Sequence, residues 1–384
     1  MQRADASVKV AAVMAPDMTV VPPGPESRAG DRRVGMGRHF ADEYSLDMPA
    51  DLAAIRNYWY PVHFTSKLER GNAQRRFPLF AEEWEIVKAD AATGTEAAAS
   101  VAATFGAAEG EKWGSVEEWV CRNVNDTRRY LPVAIQDGLL MVWPGTCKPE
   151  ASLPTAFKPP DGYTVHAELV IDDVPVEHGL LMENLLDLAH APFTHTGTFA
   201  KGWGVPNFVE FVTSKMRSPG DGWMEMANGL KNLGSSQGSW NPYPIDMKFV
   251  TPCMVDSHIG MSQAGAAGSG AQFEKGKQCA ECQNHLHQLH VCTPSTPGRT
   301  RLLYRMSLDF AGWAKFVPGI ELVWTEMASQ VLGEDLRLVT GQQDRMARGG
   351  RVWAHPVAYD KLGLVYRRWR NYVVDGKECD IDSK

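Results

Sequence analysis

Two histidines five residues apart, with a proline between them, constrain this chain more than any other feature. They lie in Glu183–His195, ENLLDLAHAPFTH. On a helix, positions three apart share a face, which sets Asp187 beside His190. Positions five apart diverge by roughly 140° on a helix of about 3.6 residues per turn, so both imidazoles cannot converge while both are helical. Pro192 removes a backbone donor and disfavours helix at Ala191. The spacing therefore predicts a helix that ends near His190 and a chain that folds back to bring His195 round.

Two histidines and one carboxylate on one side of an open iron form the facial triad of non-haem Fe(II) oxygenases. The stretch supplies two of these three donors. A helix end with two hydrogen-bonded histidines accounts for a bare spacing of this kind equally well. The flanking Asn184, Asp187, Pro192 and Thr194 make this instance more specific. A carboxylate must come from elsewhere, and a long helix from about Trp324 to Arg348 offers the adjacent pair Glu334 and Asp335. Asp335 shares its face with Val331, Leu332, Leu338 and Val339, whereas Glu334 faces Gln330, Arg337 and Leu338. An acid on an apolar stripe is costly unless paired or metal-bound. Asp335 is the expected third ligand, and Glu334 the alternative. Without a metal, Asp335 reads as a solvated acid beside Arg337.

The chain has 384 residues, enough for one large or two ordinary domains. Its net charge of −7 argues against nucleic acid as a partner. Seven scattered cysteines, an odd number, do not read as a disulfide framework. No uncharged apolar run reaches the ~18 residues of a membrane span. Phe310 to Leu332 is the least polar long stretch, broken by Lys315, Pro318, Glu321 and Glu326. It reads as a buried amphipathic element, with a membrane-surface segment as the alternative.

Residues 1–48 carry small residues, proline and mixed charge without a period, and read as a flexible N-terminal arm. Residues 49–160 read as a small β domain. It starts at Arg56–Val62, has strand candidates at Phe77–Phe80 and Trp84–Lys88, and closes with Leu131–Gly145 around an Asp137-Gly138 turn. Residues 89–110, rich in Ala, Gly and Thr, read as a flexible insertion. Residues 161–384 read as a second domain. It holds strands at Tyr163–Ile171, Asn284–Cys292 and Thr300–Phe310, a flexible Ala264–Gly270 loop, and the long helix stopped by Gly349 and Gly350. In Thr300–Phe310, Leu302, Tyr304, Met306, Leu308 and Phe310 line one face. The class is α+β.

Asn184-x2-Asp187-x2-His190-x4-His195 with a distant Glu334-Asp335 helix resembles the catalytic domain of Rieske-type non-haem iron oxygenases. Segments 187–195, 285–292, 302–310, 330–339 and 359–363 narrow the likeness to the chlorophyllide a-oxidising branch of that family. The likeness covers roughly residues 56–375. It implies a Rieske-like β domain followed by a helix-grip catalytic domain, and a mononuclear Fe(II) on His190, His195 and Asp335. It implies oxidation of the C7 methyl of chlorophyllide a to formyl, as in chlorophyll b synthesis, with O2 and with ferredoxin as the ultimate electron donor. It also implies a chloroplast location, soluble or peripheral to the thylakoid or inner envelope membrane. Residues 1–48 lack the character of a transit peptide, so such a peptide is expected to have been removed or to precede this sequence.

The chain departs from the family at one point. A Rieske cluster needs two Cys and two His on one subdomain. Between Phe64 and Trp143 there is one cysteine, Cys121, and no histidine. No [2Fe-2S] cluster is expected here, and the β domain is degenerate. The family assembles head to tail, typically as trimers, and the acid at the position of Asp187 links a neighbour's cluster histidine to His190. These features imply a hetero-oligomer in which a paralogous subunit carries the cluster. In it, Asp187 and Asn184 act beside the iron. The alternative is a non-catalytic tetrapyrrole-binding or regulatory subunit.

Cys279-x2-Cys282 followed by His285, His287, His290 and Cys292 has the elements of a zinc site. Strand alternation sets His285 and His287 on one side and His290 and Cys292 on the other, which favours a strand that lines or backs the substrate cavity. Arg367, Arg368 and Arg370 form a basic cluster that reads as solvated or interfacial.

Overall fold

The computed structural model describes residues 55–70, 74–106, 119–149, 153, 157–200, 210–213, 235–241, 244–261, 278–350, 357 and 360–375. The expected arm at 1–48 and the loop at 264–270 lie outside them.

The first part of the chain forms two small antiparallel sheets. Its elements are β1 (Tyr60–Phe64), α1 (Thr65–Arg70), β2 (Gln74–Leu79), β3 (Glu82–Lys88), α2 (Ala91–Phe105), β4 (Trp119–Asn123), β5 (Tyr130–Leu131), β6 (Val133–Gln136) and β7 (Leu139–Val142). One sheet runs β1-β7-β6 and the other β2-β3-β4-β5. Asp137 and Gly138 turn β6 into β7 with φ of 52° and 77°. Two positive values are what a tight I′ turn demands, and Asp-Gly meets the demand at little cost. Trp59, Phe64, Phe77, Trp84 and Trp143 fill the core between the sheets.

The expected flexible insertion is instead helical over Ala91–Phe105. Alanine is the strongest helix former, so an Ala-rich run needs only ends and one buried stripe. Asp90 supplies the first end by accepting from the Thr93 N–H at 2.8 Å. Gly106 supplies the other at φ 63°. Ala97 and Val101 pack against Val120 and Tyr130.

The second part holds β8 (Thr164–Val174), α3 (His178–Leu186), α4 (Ala191–Thr194), β9 (Glu210–Thr213), β10 (Ser235–Asn241), β11 (Ile245–Val250), β12 (Met254–Met261), β13 (Asn284–Pro294), β14 (Thr300–Leu308), α5 (Ile320–Ala347) and α6 (Lys361–Asp375). Its seven strands form one antiparallel sheet, β8-β14-β13-β12-β11-β10-β9. β14 ends at Leu308, so Phe310 falls beyond the strand. Side chains alternate across it. Leu302, Tyr304 and Met306 line a cavity on one face. Arg301 and Arg305 reach the other way: Arg301 donates to the Val62 carbonyl, and Arg305 to those of Asp137 (3.1 Å) and Phe157 (3.3 Å). Asp172 and Glu168 on β8 neutralise them at 2.7 and 2.8 Å. The small sheets are thus locked to the back of the large one.

Two sequence expectations change. Arg367 and Arg370 are buried, not solvated. Arg367 pairs with Glu183 and Arg370 with Glu177, so α6 clamps α3 from both its ends. The stretch from Phe310 to Leu332 is not a buried element. Trp313 and Phe316 are 71% and 77% exposed, and Leu322 and Val323 are also exposed. Only Ala314 and Leu332 in this stretch are buried. The inward side of this stretch packs on the sheet, with Trp324 edge-on to His166 at 5.8 Å, while Trp313, Phe316, Leu322 and Val323 point away from it.

Burial pushes the Glu177 carboxyl up, but Arg370 and His178 outweigh it and hold it well below 4.5. A depressed carboxyl contributes stability that is full above its unfolded pKa and is lost as pH falls through the folded one. Glu177→Gln is expected to cost about 3–5 kcal/mol at neutral pH, because it strands Arg370 in the core. The variant should also lose the part of the acid limb below about pH 4.5 that Glu177 supplies. Urea unfolding at pH 7 and pH 4 checks both; equal midpoints at pH 7 would show the pair to be neutral.

Candidate metal centre

The helix bearing the motif ends earlier than its spacing predicts. α3 stops at Leu186, and Asp187 follows in extended backbone, φ −104° and ψ 104°. Asp187 and His190 are therefore not neighbours on one helical face. The Asp187 carboxylate instead accepts from the Ala189 N–H at 2.9 Å, a local bond that competes with continued helix. Pro192 does not end the helix; it sits at the start of the next one, α4, where a missing N–H costs nothing. This single turn closes the five-residue gap. His190 precedes it, His195 follows it, and the His195 N–H bonds the Ala191 carbonyl at 3.0 Å.

The two imidazoles converge with Nε2 atoms 3.3 Å apart. Asp335 Oδ1 lies 3.2 Å from His190 Nε2 and 3.1 Å from His195 Nε2. Asp335 is buried on the stripe of α5 that also buries Leu332 and Val339. Glu334 does not join this point. It sits 3.1 Å from His195 Nδ1 and accepts from the Gly197 N–H (3.1 Å) and the Thr198 hydroxyl (2.5 Å). Asp187 stands 3.8 Å from His190 Nδ1, an ion-pair distance rather than a hydrogen bond.

These contacts decide what the cluster lacks. If His195 donates an Nδ1–H hydrogen bond to Glu334, its Nε2 presents a lone pair. That lone pair faces an oxygen of Asp335, which also has only lone pairs to offer. A cation must lie between them, either a second proton or a metal. Bonds of about 2.1 Å at right angles set two donors about 3.0 Å apart, and the observed separations of 3.1–3.3 Å fit that spacing. The protons answer to the same field. Burial lowers the His190 pKa, but Asp187 and Asp335 overcome it and raise it to about 9. Burial pushes Asp335 up, and the two imidazoles hold it well below the carboxylate range.

The cluster opens on a cavity of about 440 Å³, within the range of small-molecule sites. Its wall is mostly apolar, with Leu169, Ile171, Met247, Leu302, Met306 and Trp324. Asn184 also lines it, and its side-chain amide nitrogen has no hydrogen-bond partner among the described residues. Gln288 and Tyr304, bonded to each other at 2.7 Å, add a polar rim. His290 lines the wall too, and burial lowers its pKa to about 4. Sequence reasoning missed Gln288, Tyr304 and the orienting contact of Glu334. Strand alternation from His290 was the available signal for Gln288. His285 and His287 lie on the reverse face. The thiols of Cys279 and Cys282 turn to the carbonyls of His258 and Gln278.

Comparisons with known proteins show what the chain is similar to. The pheophorbide a oxygenase family matches residues 249–353. The chloroplastic chlorophyllide a oxygenase of Chlamydomonas reinhardtii is 45% identical over 340 residues, covering 83% of this chain and 48% of that protein. The Arabidopsis thaliana enzyme is 43% identical over 342 residues, covering 84% and 59%. The chain thus spans about half the length of these relatives. Among solved structures, dicamba monooxygenase bound to dicamba superposes with a TM-score of 0.53 at 15% identity, over 84% of this chain and 98% of that one. A theobromine-bound mutant of NdmA from Pseudomonas putida CBB5 gives 0.52 at 12% identity, over 85% and 92%. These structural neighbours share the α+β fold of this chain.

Proposed function

We propose that this homologue of the chlorophyllide a oxygenases is the iron-bearing catalytic subunit of such an enzyme, drawing electrons from a partner's Rieske cluster. One observation carries the reading: His190 Nε2, His195 Nε2 and Asp335 Oδ1 meet within 3.3 Å at the wall of an apolar cavity. These three would hold Fe(II). Bound there, ferrous iron supplies the redox chemistry by which O2 oxidises an unactivated methyl. By analogy with the relatives, the substrate is chlorophyllide a, whose C7 methyl is oxidised twice to formyl.

The chain's own residues do the rest. Glu334 fixes the His195 tautomer by accepting a hydrogen bond from its Nδ1–H, which leaves the Nε2 lone pair free for a metal. The apolar wall excludes water and accepts the flat face of a chlorin. Asn184 and the Gln288–Tyr304 pair offer the cavity's hydrogen bonds, which orient a ring carrying few polar groups. Asp187 faces His190 Nδ1 and is reachable from outside. It is the proposed bridge to the cluster of a neighbouring subunit in a hetero-oligomer built on a trimeric plan. The division into a cluster-free β domain at 49–160 and an iron domain at 161–384 follows from the same reading. So does a chloroplast location with ferredoxin upstream. The exposed Trp313 and Phe316 support peripheral contact with a membrane.

Metal and labile-sulfide analysis of the chain tests the proposal. One iron per chain without sulfide, and turnover of chlorophyllide a only when the cluster-bearing subunit is added, are expected. Chlorin binding without iron uptake would instead make the chain a regulatory subunit. A two-iron signal from the chain alone would remove the need for a partner.

Ligand roles separate in substitutions. Asp335→Ala, His190→Ala and His195→Ala are each expected to abolish ferrous binding in an anaerobic titration while the far-ultraviolet spectrum stays native. Glu334→Gln should keep the metal with affinity about 10–100-fold lower, since it removes only the orienting acceptor. Equal losses in Glu334→Gln and Asp335→Ala would show that Glu334 is a ligand. Asp187→Asn should bind iron normally yet slow single-turnover oxidation of the partner's pre-reduced cluster by orders of magnitude. A wild-type rate would place the electron path elsewhere.

A further inference from the structure

The reverse face of the large sheet carries a second set of ligating side chains. β12 and β13 pair antiparallel, with His258 directly opposite His287. Asp256 lies two residues before His258 on the same strand, so all three project from one face. It is not the cavity face, which takes Ser257, Ile259, Leu286 and Gln288 from the same strands. One donor atom from each of Asp256, His258 and His287 lies within 4.8 Å of the others. Asp256 Oδ1 is 2.5 Å from His287 Nε2. The two rings stand 4.6 Å apart at 69°, with Tyr163 edging against both. Asp246 on β11 opposes His258 from the other side.

We infer that Asp256, His258 and His287 form a second cation site, one that takes zinc and ties β12 to β13 behind the cavity. Two features point to a ligand rather than a solvated cluster. His287 is 1% exposed, and its Nδ1 has no hydrogen-bond partner among the described residues. The Asp256–His287 bond therefore satisfies only part of a fully buried ring. His258 carries a second imidazole to the same point yet remains partly open to solvent, which supplies an entry path and a place for water as a fourth ligand. Imidazole and carboxylate donors bind zinc at about 2.0–2.2 Å, and tetrahedral neighbours then lie about 3.3 Å apart. A shift of under an ångström at the Asp256–His287 pair meets that spacing. For the same donors zinc binds more tightly than ferrous iron. The sequence signal for zinc was Cys279-x2-Cys282, but both thiols turn to backbone carbonyls, those of His258 and Gln278. The structure moves the donor set to the strands beside it.

The test uses the full chain carrying His190→Ala and Asp335→Ala, which removes the cavity donors. The protein is equilibrated with zinc ions, freed of excess, and its metal counted by mass spectrometry. One zinc per chain is expected, falling to background on adding either His258→Gln or Asp256→Asn, with circular dichroism to verify folding. Background zinc in the starting variant overturns the inference, as does full zinc retained in the folded His258→Gln and Asp256→Asn proteins. If both substitutions unfold the chain, cobalt(II) in the starting variant decides. Intense visible d–d bands of a four-coordinate site with histidine ligands uphold the site, and the spectrum of free aqueous cobalt overturns it.

Discussion

Three groups that compete for the same cation are buried within 3.3 Å of one another, and much of the large domain serves to keep them there. Left alone, such a cluster would move apart or draw in water, because unpaired buried charge is costly. It is held by elements from distant parts of the chain. His190 and His195 flank a one-turn helix, and Asp335 comes from a helix about 140 residues later. α3, which leads into the motif, is fixed by Arg367 and Arg370 of α6 through Glu183 and Glu177. These buried pairs contribute little net stability as pairs. Their consequence is that α3 has one position, and with it the motif.

β14 joins this arrangement to the rest of the molecule. Its even-numbered side chains Leu302, Tyr304 and Met306 form cavity wall, while Arg301 and Arg305 bond carbonyls of the small sheets. A strand with period two can do both because its faces are independent. The arginine stems also cover aromatic rings: Arg301 lies 5.1 Å from the Phe77 centroid and Arg305 5.0 Å from that of Phe64. The small sheets therefore support the sheet that shapes the cavity.

The sequence was most legible where a residue type has one physical use. Asp137-Gly138 announced its turn, and alternation separated His285 and His287 from His290. Apolar neighbours three and four residues away marked Asp335 as the buried acid rather than Glu334. It was least legible where the outcome depends on partners from afar. Nothing near Arg367 or Arg370 discloses that Glu183 and Glu177 wait for them. The Ala-rich 91–105 run looked featureless because its helix rests on Asp90, Gly106 and a two-residue stripe. The start of α5 looked like core because it is apolar, yet only its inward side packs on the sheet. The helix boundary at Leu186 was misplaced for a local reason: Asp187 can satisfy the Ala189 N–H itself, and helix propensity does not register that competition.

The two carboxylates beside the histidines differ in a way that bears on their roles. Glu334 is tied on three sides, to His195, Gly197 and Thr198, all on its own chain. It has little capacity left for an outside partner. Asp187 has one firm bond, to the Ala189 N–H, through a single oxygen. Its other oxygen stands 3.8 Å from His190 Nδ1, and its side chain is 39% exposed. His190 Nδ1 is buried and has no hydrogen-bond partner among the described residues. A modest turn of the Asp187 carboxylate would complete that bond while its outer edge stayed open to a second donor. One acid is thus complete and enclosed by its own chain, whereas the other has an unfilled bond to its imidazole and an edge open to solvent.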